Sequence, residues 1–459
     1  MRILHWLLGF DRAGGLNRYA ADLARAQAKR GDVVFAFCPE GSLLPKGRAA
    51  IRRRRNRDGV VRFALTGGRP VPLLEGVRDP EALLHPRNVL SEEEIRAFLD
   101  ETSPDVVHVH TWMGFPEELL PELRRRRIAL VFTTHDYFAL CPRVNFIDDA
   151  GRLCAAPNDE TCSRCNRNAP SSRFLALRNA PLLLRCKSWL RPLLALRARN
   201  RRSAAPAQED RPRESKHAET AATTKRYLAL VERQKELLLA CDRIHFNSEA
   251  THAVYARFLP ELRGSTIPIA HAGISDRRRA RTANPKCVRF CFIGAETPYK
   301  GLPMLEEILR DLWNRGARNW SLDVWGTPVK DAQDAPNPAD APTIRRRGVF
   351  RPEDEESVFQ NADLLIVPSI CNETFGFVVA EALSFGLPVL CSDMVGAKIL
   401  LDSKWIFHGE RGLRAALKKL FDDPSMLNEA NARILAAPPV PTMERHEQDI
   451  EAFYRLALA

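Results

Sequence analysis

The stretch Cys371–Asp393, CNETFGFVVAEALSFGLPVLCSD, sets two glutamates, Glu373 and Glu381, into an otherwise apolar run. Burying an unpaired carboxylate is costly, so each needs a partner, water or a ligand. With the preceding DLLIVPS, the stretch reads as strand, loop, helix, strand. Gly386 and Pro388 end the helix as a C-terminal Gly/Pro pair does. Glu373 then falls in the loop at the carboxyl end of a strand, and Glu381 about one turn into the helix. On one continuous helix they would sit roughly 80° apart, a poor shared face. With the loop folded back, both point into the crevice beyond the strand ends, where open α/β sheets bind ligands. The backbone N–H groups around Phe375, Gly376 and Phe377 start the helix and favour an anion. Carboxylates that accept from hydroxyls, beside donors that favour phosphate, suit a nucleotide sugar. A capping acid plus a surface acid is the plain alternative.

The same alternation runs outward in both directions. RILHWLL reads as a strand, and after a Gly-Gly loop Leu16, Tyr19, Ala20 and Leu23 share one helical face that Gly31 ends. DVVFAFC, DVVHVHTW and IALVFTTHDY read as strands, the last ending at His135, and SEEEIRAFLDETSP as a serine-capped helix. In the second half CVRFCFIG, SLDVWG and DLLIVPS are strands separated by helical segments. Alternation of this kind predicts α/β domains with parallel sheets. At 459 residues the chain is long enough for two of them, and the irregular GISDRRRARTANP, between Pro260 and Pro285, marks the boundary.

The chain is 45% hydrophobic and 27% charged, as in a globular protein. No apolar run approaches the roughly 18 residues of a membrane-crossing helix. The N-terminal apolar run is too short for a secretion signal, so the expected location is cytoplasmic, or peripheral on the inner face of the membrane. A net charge of +12 suits nucleic acid, an anionic membrane or phosphorylated substrates. No zinc-finger spacing or RNP-like segment supports nucleic acid.

ETFGFVVAEALSFGLPV resembles the Glu-x7-Glu signature of the retaining glycosyltransferases of family 4. Four further segments are similar to that family in the right order: RAGGLNRY, FTTHDY, FNSEATHAVY and FIGAETPYKGL. The resemblance covers nearly the whole chain apart from a basic insert. It implies the GT-B fold, two facing Rossmann-like doubly wound domains with an interdomain cleft. The first domain would span 1–265, completed by a C-terminal helix over 442–459, and the nucleotide-sugar domain 280–435.

The resemblance also implies roles. Glu381 would accept from the ribose hydroxyls and Glu373 from the donor sugar, with Thr374, Phe375, Gly376 and Phe377 lining the donor site. Lys300, after Gly294, would neutralise the diphosphate, whose charge grows in the transition state. Gly14 and Gly15 would let the first-domain backbone approach the donor, and His135 would contact the transferred sugar. One residue departs from the pattern: many members carry an arginine after the glycine of the phosphate segment, where this chain has Ala295. The implied reaction moves a sugar, with retention, from a UDP- or GDP-type nucleotide sugar to an envelope lipid or polysaccharide acceptor, without a catalytic metal. The rivals are an epimerase, a phosphorylase, or a catalytically silent GT-B protein that binds a membrane or partner.

Two features lie outside that scheme. Of eleven cysteines, Cys141, Cys154, Cys162 and Cys165 cluster within CPRVNFIDDAGRLCAAPNDETCSRC. Four thiolates close a tetrahedral structural zinc site; reduced thiols and disulfides are the alternatives. The insert from Arg173 to Thr220 mixes arginines with Phe174, Leu182, Leu183, Trp189 and Leu194, and is broken by Pro181 and Pro192. It reads either as a solvated crossover or as an amphipathic segment on an anionic leaflet.

Overall fold

The computed structural model describes residues 1–41, 48–73, 76–178, 220–327 and 342–459. The first sheet comprises β1 (Arg2–Trp6), β2 (Val33–Glu40), β3 (Ala50–Arg57), β4 (Val60–Thr66), β5 (Val106–Val109), β6 (Ala129–Thr133), β7 (Arg243–Phe246) and β8 (Gly264–Thr266). Its order is β3-β4-β2-β1-β5-β6-β7-β8, parallel except where β3 runs antiparallel to β4. The second sheet comprises β9 (Val288–Ile293), β10 (Trp320–Trp325), β11 (Thr343–Gly348), β12 (Leu364–Val367), β13 (Val389–Ser392) and β14 (Ile406–Phe407), in the order β11-β10-β9-β12-β13-β14. All of its pairings are parallel.

Parallel strands covered by helices on both faces need near-continuous apolar runs. The central strands meet this: β5, β6, β12 and β13 are buried at every position. The chain reverses its direction of travel across each sheet once, between β1 and β5 and between β9 and β12. These are the two switch points at which the strands' carboxyl ends open a ligand crevice.

The Gly15–Arg30 helix ends at Gly31, whose φ of 107° only glycine takes easily. Ser91 and Glu94 form a reciprocal capping box at the start of Glu92–Thr102. The C-terminal helix Met443–Leu458 returns to the first domain, where Tyr454 bonds to His108 of β5 and His446 to Tyr19 of the Gly15–Arg30 helix. The β3–β4 hairpin escaped the sequence reading. Arg52–Arg55 look like a solvated charge run, yet Asp58 and Gly59, both at positive φ, make the two-residue turn of a hairpin. The arginines then guard an edge strand against pairing with another chain.

Of the basic insert, Ser172–Arg178 is helical and 179–219 lie outside the described residues, so the reading of Leu182, Leu183, Trp189 and Leu194 does too. Phe174, expected to face inward, is exposed; its neighbour Leu175 is the buried residue. No helix among the described residues is long and apolar enough to cross a membrane.

Candidate active site

The loop after β12 carries Glu373 and is tied to the segment after β13. Glu373 N–H donates to the Met394 carbonyl at 2.9 Å, and Gly396 N–H to the Glu373 carbonyl at 3.0 Å. The Glu373 side chain, largely enclosed, accepts from Ser369 Oγ and pairs with Lys300 Nζ at 2.9 Å. Lys300 ends the short turn after β9. That turn closes at Gly301, with φ of 77°, where a Cβ would lie 1.8 Å from the Pro368 carbonyl oxygen. Glycine there brings the β9 and β12 loops together across the second switch point, and this places the cation on the carboxylate. Burial alone would depress the Lys300 ammonium; the Glu373 charge and hydrogen bond outweigh it and hold the group above the usual lysine range, so it stays protonated.

Glu381 projects from the helix Phe377–Ser384, whose start at Gly376 (φ of 95°) has no side-chain cap and no acid in its first turn. Its Oε1 accepts from His271 Nε2 at 2.8 Å and from Arg18 Nη1 at 3.2 Å. Arg18 belongs to the first-domain helix, so this contact spans the cleft. At the same place a Cβ on Gly15 would lie 3.4 Å from the Phe377 ring. Gly14, at φ of 116°, has nothing close to a Cβ, so conformation rather than space calls for glycine. A second seam forms at Thr374. Its Oγ1 donates to the His135 carbonyl at 3.1 Å, and its own carbonyl accepts from Ser248 Oγ at 2.6 Å and Thr251 Oγ1 at 2.8 Å. Gly294 follows β9 directly, with its N–H on the Trp325 carbonyl at 2.9 Å.

Two clusters therefore form along the cleft: Glu373, Lys300 and Thr374 with His135 of the first domain, and Glu381 and Phe377 with Gly15 and Arg18 of the first domain. Sequence reasoning missed Arg18 and His271, the two partners of Glu381. Arg18 lay inside the quoted glycine segment, but nothing in its spacing pointed across the cleft.

Cys141, Cys154, Cys162 and Cys165 meet away from the cleft. All four line one small pocket with Pro142, Ile147 and Pro157. Cys162 and Cys165 come from one face of the helix Asp159–Asn166; all four are free thiols, and all but Cys154 are buried. Burial pushes the Cys141 thiol up to about 11 and Cys162 to about 12.

Two doubly wound sheets with apposed switch points, one holding a cation–carboxylate pair and a helix start, are the architecture of the GT-B class. Residues 13–161 match the family model described as Glycosyltransferase Family 4, and residues 287–435 the model described as Glycosyl transferases group 1. The chain belongs to the glycosyltransferases of this family 4, GT-B type. No curated protein matches the sequence. Among solved structures it resembles Anabaena HepE in complex with UDP and glucose, at 14% identity and a TM-score of 0.54, covering 99% of each chain. It also resembles an E. coli structure described as trehalose-6-phosphate bound with UDP-2-fluoro glucose, at 12% identity and a TM-score of 0.56 over 100% of this chain and 99% of that one. An alpha,alpha-trehalose-phosphate synthase (UDP-forming) from Burkholderia xenovorans in complex with glucose-6-phosphate gives 13% identity and a TM-score of 0.56, with 100% of both chains covered. At such identities these likenesses are of fold.

Proposed function

We propose that this glycosyltransferase moves a sugar, with retention of configuration, from a nucleotide-diphospho-sugar to a lipid-linked or saccharide acceptor of the cell envelope. The observation that carries the reading is the Lys300–Glu373 pair at the second switch point, in the loop that leads into the helix bearing Glu381. Lys300 holds the departing diphosphate, assisted by the uncapped N–H groups at Phe377 and Val378. Glu381, oriented by His271 and Arg18, accepts from the ribose hydroxyls. Glu373, Thr374 and His135 position the sugar. No covalent nucleophile and no catalytic metal are invoked. A uridine donor is favoured over guanosine because the resembled structures hold UDP or a UDP sugar. A net charge of +12 suits an anionic leaflet, which supports work at the cytoplasmic face on a lipid-linked acceptor.

Thermal shift against UDP, GDP and ADP tests the donor, because a ligand of the native state raises Tm. Glu381→Gln loses its charge toward Arg18 and weakens as an acceptor. It is expected to weaken nucleotide binding about tenfold, the factor of one hydrogen bond to a charged group, with the melting temperature of the free protein nearly unchanged. Unaltered nucleotide affinity in that variant removes Glu381 from the site.

We further propose that the four thiols hold one structural zinc. They are soft ligands drawn from a loop and a helix, lining one pocket in a Pro- and Asp-rich segment with little regular structure of its own. Elemental analysis of protein never exposed to chelator is expected to give about one zinc per chain. Cys162→Ser is expected to lose the metal and lower the melting temperature. Full-length protein free of zinc, with the four thiols reduced, rejects the site.

A further inference from the structure

The first sheet carries histidines where a parallel sheet ordinarily has aliphatic residues. His5, His108, His110 and His245 are fully buried on or beside its strands, and His446 and Tyr454 reach them from the C-terminal helix. Burial, together with the neighbouring rings, keeps them neutral: His5 and His245 are lowered to about 4, and His108, His110, His135 and His446 fall well below the ordinary value. A neutral imidazole has one donor nitrogen and one acceptor. One fixed end is therefore enough to assign a whole chain of them.

That end is a backbone carbonyl. His245 Nε2 lies 2.7 Å from the Ile267 carbonyl oxygen, which only accepts, so Nε2 carries the proton and Nδ1 is bare. Thr133 Oγ1, at 2.9 Å from that Nδ1, must donate to it. The threonine's one proton is then spent, and at 2.6 Å it accepts from His108 Nε2–H. His108 Nδ1 is bare in turn and accepts from the Tyr454 hydroxyl at 2.6 Å. Tyr454 can now only accept, at 3.3 Å, from the Gln27 amide N–H, which turns the amide oxygen to His5 Nε2–H at 2.7 Å. His5 Nδ1 accepts from His110 Nε2–H at 3.0 Å, and His110 Nδ1 from His135 Nε2–H at 3.3 Å. Every hydrogen bond points the same way, from His135 at the cleft to Ile267.

We propose that this one-way chain is a positioning device for sugar transfer. It fixes His135 as the Nε2–H tautomer and leaves its Nδ1, which has no protein partner among the described residues, as an acceptor for a hydroxyl of the donor sugar. Gln27 and Tyr454 are its positioning residues. The device rests on the sugar-transfer reading above only for what His135 touches, not for the direction of the chain.

The nitrogens of His5, His108 and His110 also approach within 4.8 Å of one another, the spacing of a metal site. All six of their ring nitrogens are already engaged, each with a hydrogen-bonding partner named above. A cation would have to break several of these bonds, so the rings are read as hydrogen-bonding groups.

Full-length protein labelled with 15N-histidine, read by long-range 1H–15N correlation, tests the chain without substrate. The wild type is expected to show His135 protonated on Nε2 and bare on Nδ1. Gln27→Met removes the acceptor of His5 Nε2–H; reversing His5, His110 and His135 keeps the bonds between them and spares the protein a buried N–H without an acceptor, so His135 becomes the Nδ1–H tautomer. That variant is expected to lose about tenfold or more in kcat, the scale of one hydrogen bond, with donor affinity unchanged. Gln27→Glu keeps the acceptor and is expected to restore both tautomer and turnover. His135 carrying its proton on Nδ1 in the wild type, or an unchanged tautomer in Gln27→Met, overturns the chain. Equal losses in Gln27→Met and Gln27→Glu, in step with melting temperature, overturn its positioning role. The expected tautomers in a protein that transfers no sugar overturn the reaction reading and leave the chain standing.

Discussion

Between pH 7.5 and pH 5 the protein is expected to lose most of its folding stability. Five histidines, His5, His108, His110, His245 and His446, are fully enclosed and held neutral. In the unfolded chain each takes a proton near pH 6.5, whereas in the folded chain His5 and His245 do so only near pH 4, and burial holds the other three well below the ordinary value too. Across that window the unfolded state binds more protons than the native one, so stability falls as pH falls. The full contribution is present above about pH 7 and erodes downward from 6.5. At pH 5, His5 and His245 each cost on the order of 2 kcal/mol. Buried Asp136 opposes them. Its carboxyl, raised to about 6 by burial, binds its proton in the folded state first and contributes on the order of 3 kcal/mol once pH falls below 4. Glu355 and Glu447, also raised by burial, act in the same direction as Asp136, but three carboxyls do not offset five rings, and domains of this kind are stable by only about 5–15 kcal/mol. Urea midpoints at pH 7.5, 6.5 and 5.5 measure the effect. A midpoint that holds steady across the three would mean the rings take up protons in the fold as readily as in the unfolded chain.

How legible such features are depends on how far their physics is local. The strand, loop, helix and strand around Glu373 and Glu381 could be read because Gly386 and Pro388 punctuate the run and the loop's register follows. The two-sheet class followed from the same punctuation repeated along the chain. The hairpin at Asp58–Gly59 carried a local signal too, in the Asp-Gly pair between two strand-length segments, but the reading passed over it. The partners of Glu381 had no such signal. Arg18 is 363 residues from it in sequence and meets it only when the domains face each other. His271 sits in an irregular connection with no period to break. The histidine chain was hidden for another reason. A histidine within an apolar strand, as in RILHW or RIHF, looks like a tolerated exception, and its meaning appears only when β1, β5, β6, β7 and the C-terminal helix come together. Sheet order and the return of the last helix decide that, and no spacing within one segment encodes either.

Lys300→Met is expected to lower kcat by about 10²–10³, the scale seen when a fixed group opposite developing charge is removed. The same substitution also leaves Glu373 as a nearly enclosed carboxylate bonded to Ser369 alone. Breaking a buried ion pair from one side is destabilising, here by about 1–3 kcal/mol because the lysine side chain is still 30% exposed. Slow turnover could then arise from a loosened loop rather than from lost electrostatics. Adding Glu373→Gln separates the two causes. The amide needs no cation, so the double variant is expected to melt above Lys300→Met and near the wild type. It still lacks the charge that stabilises the departing diphosphate, so its turnover is expected to stay as low as that of Lys300→Met or fall lower. Lys300→Arg restores a cation at a different reach and is expected to recover part of kcat with little change in melting temperature. Paired melting curves and turnover numbers for the three variants decide the matter. If the double variant regains turnover as it regains stability, the Lys300–Glu373 pair is a structural clasp between the β9 and β12 loops, and the cation that faces the diphosphate must be sought elsewhere in the cleft, with Arg18 the first to replace.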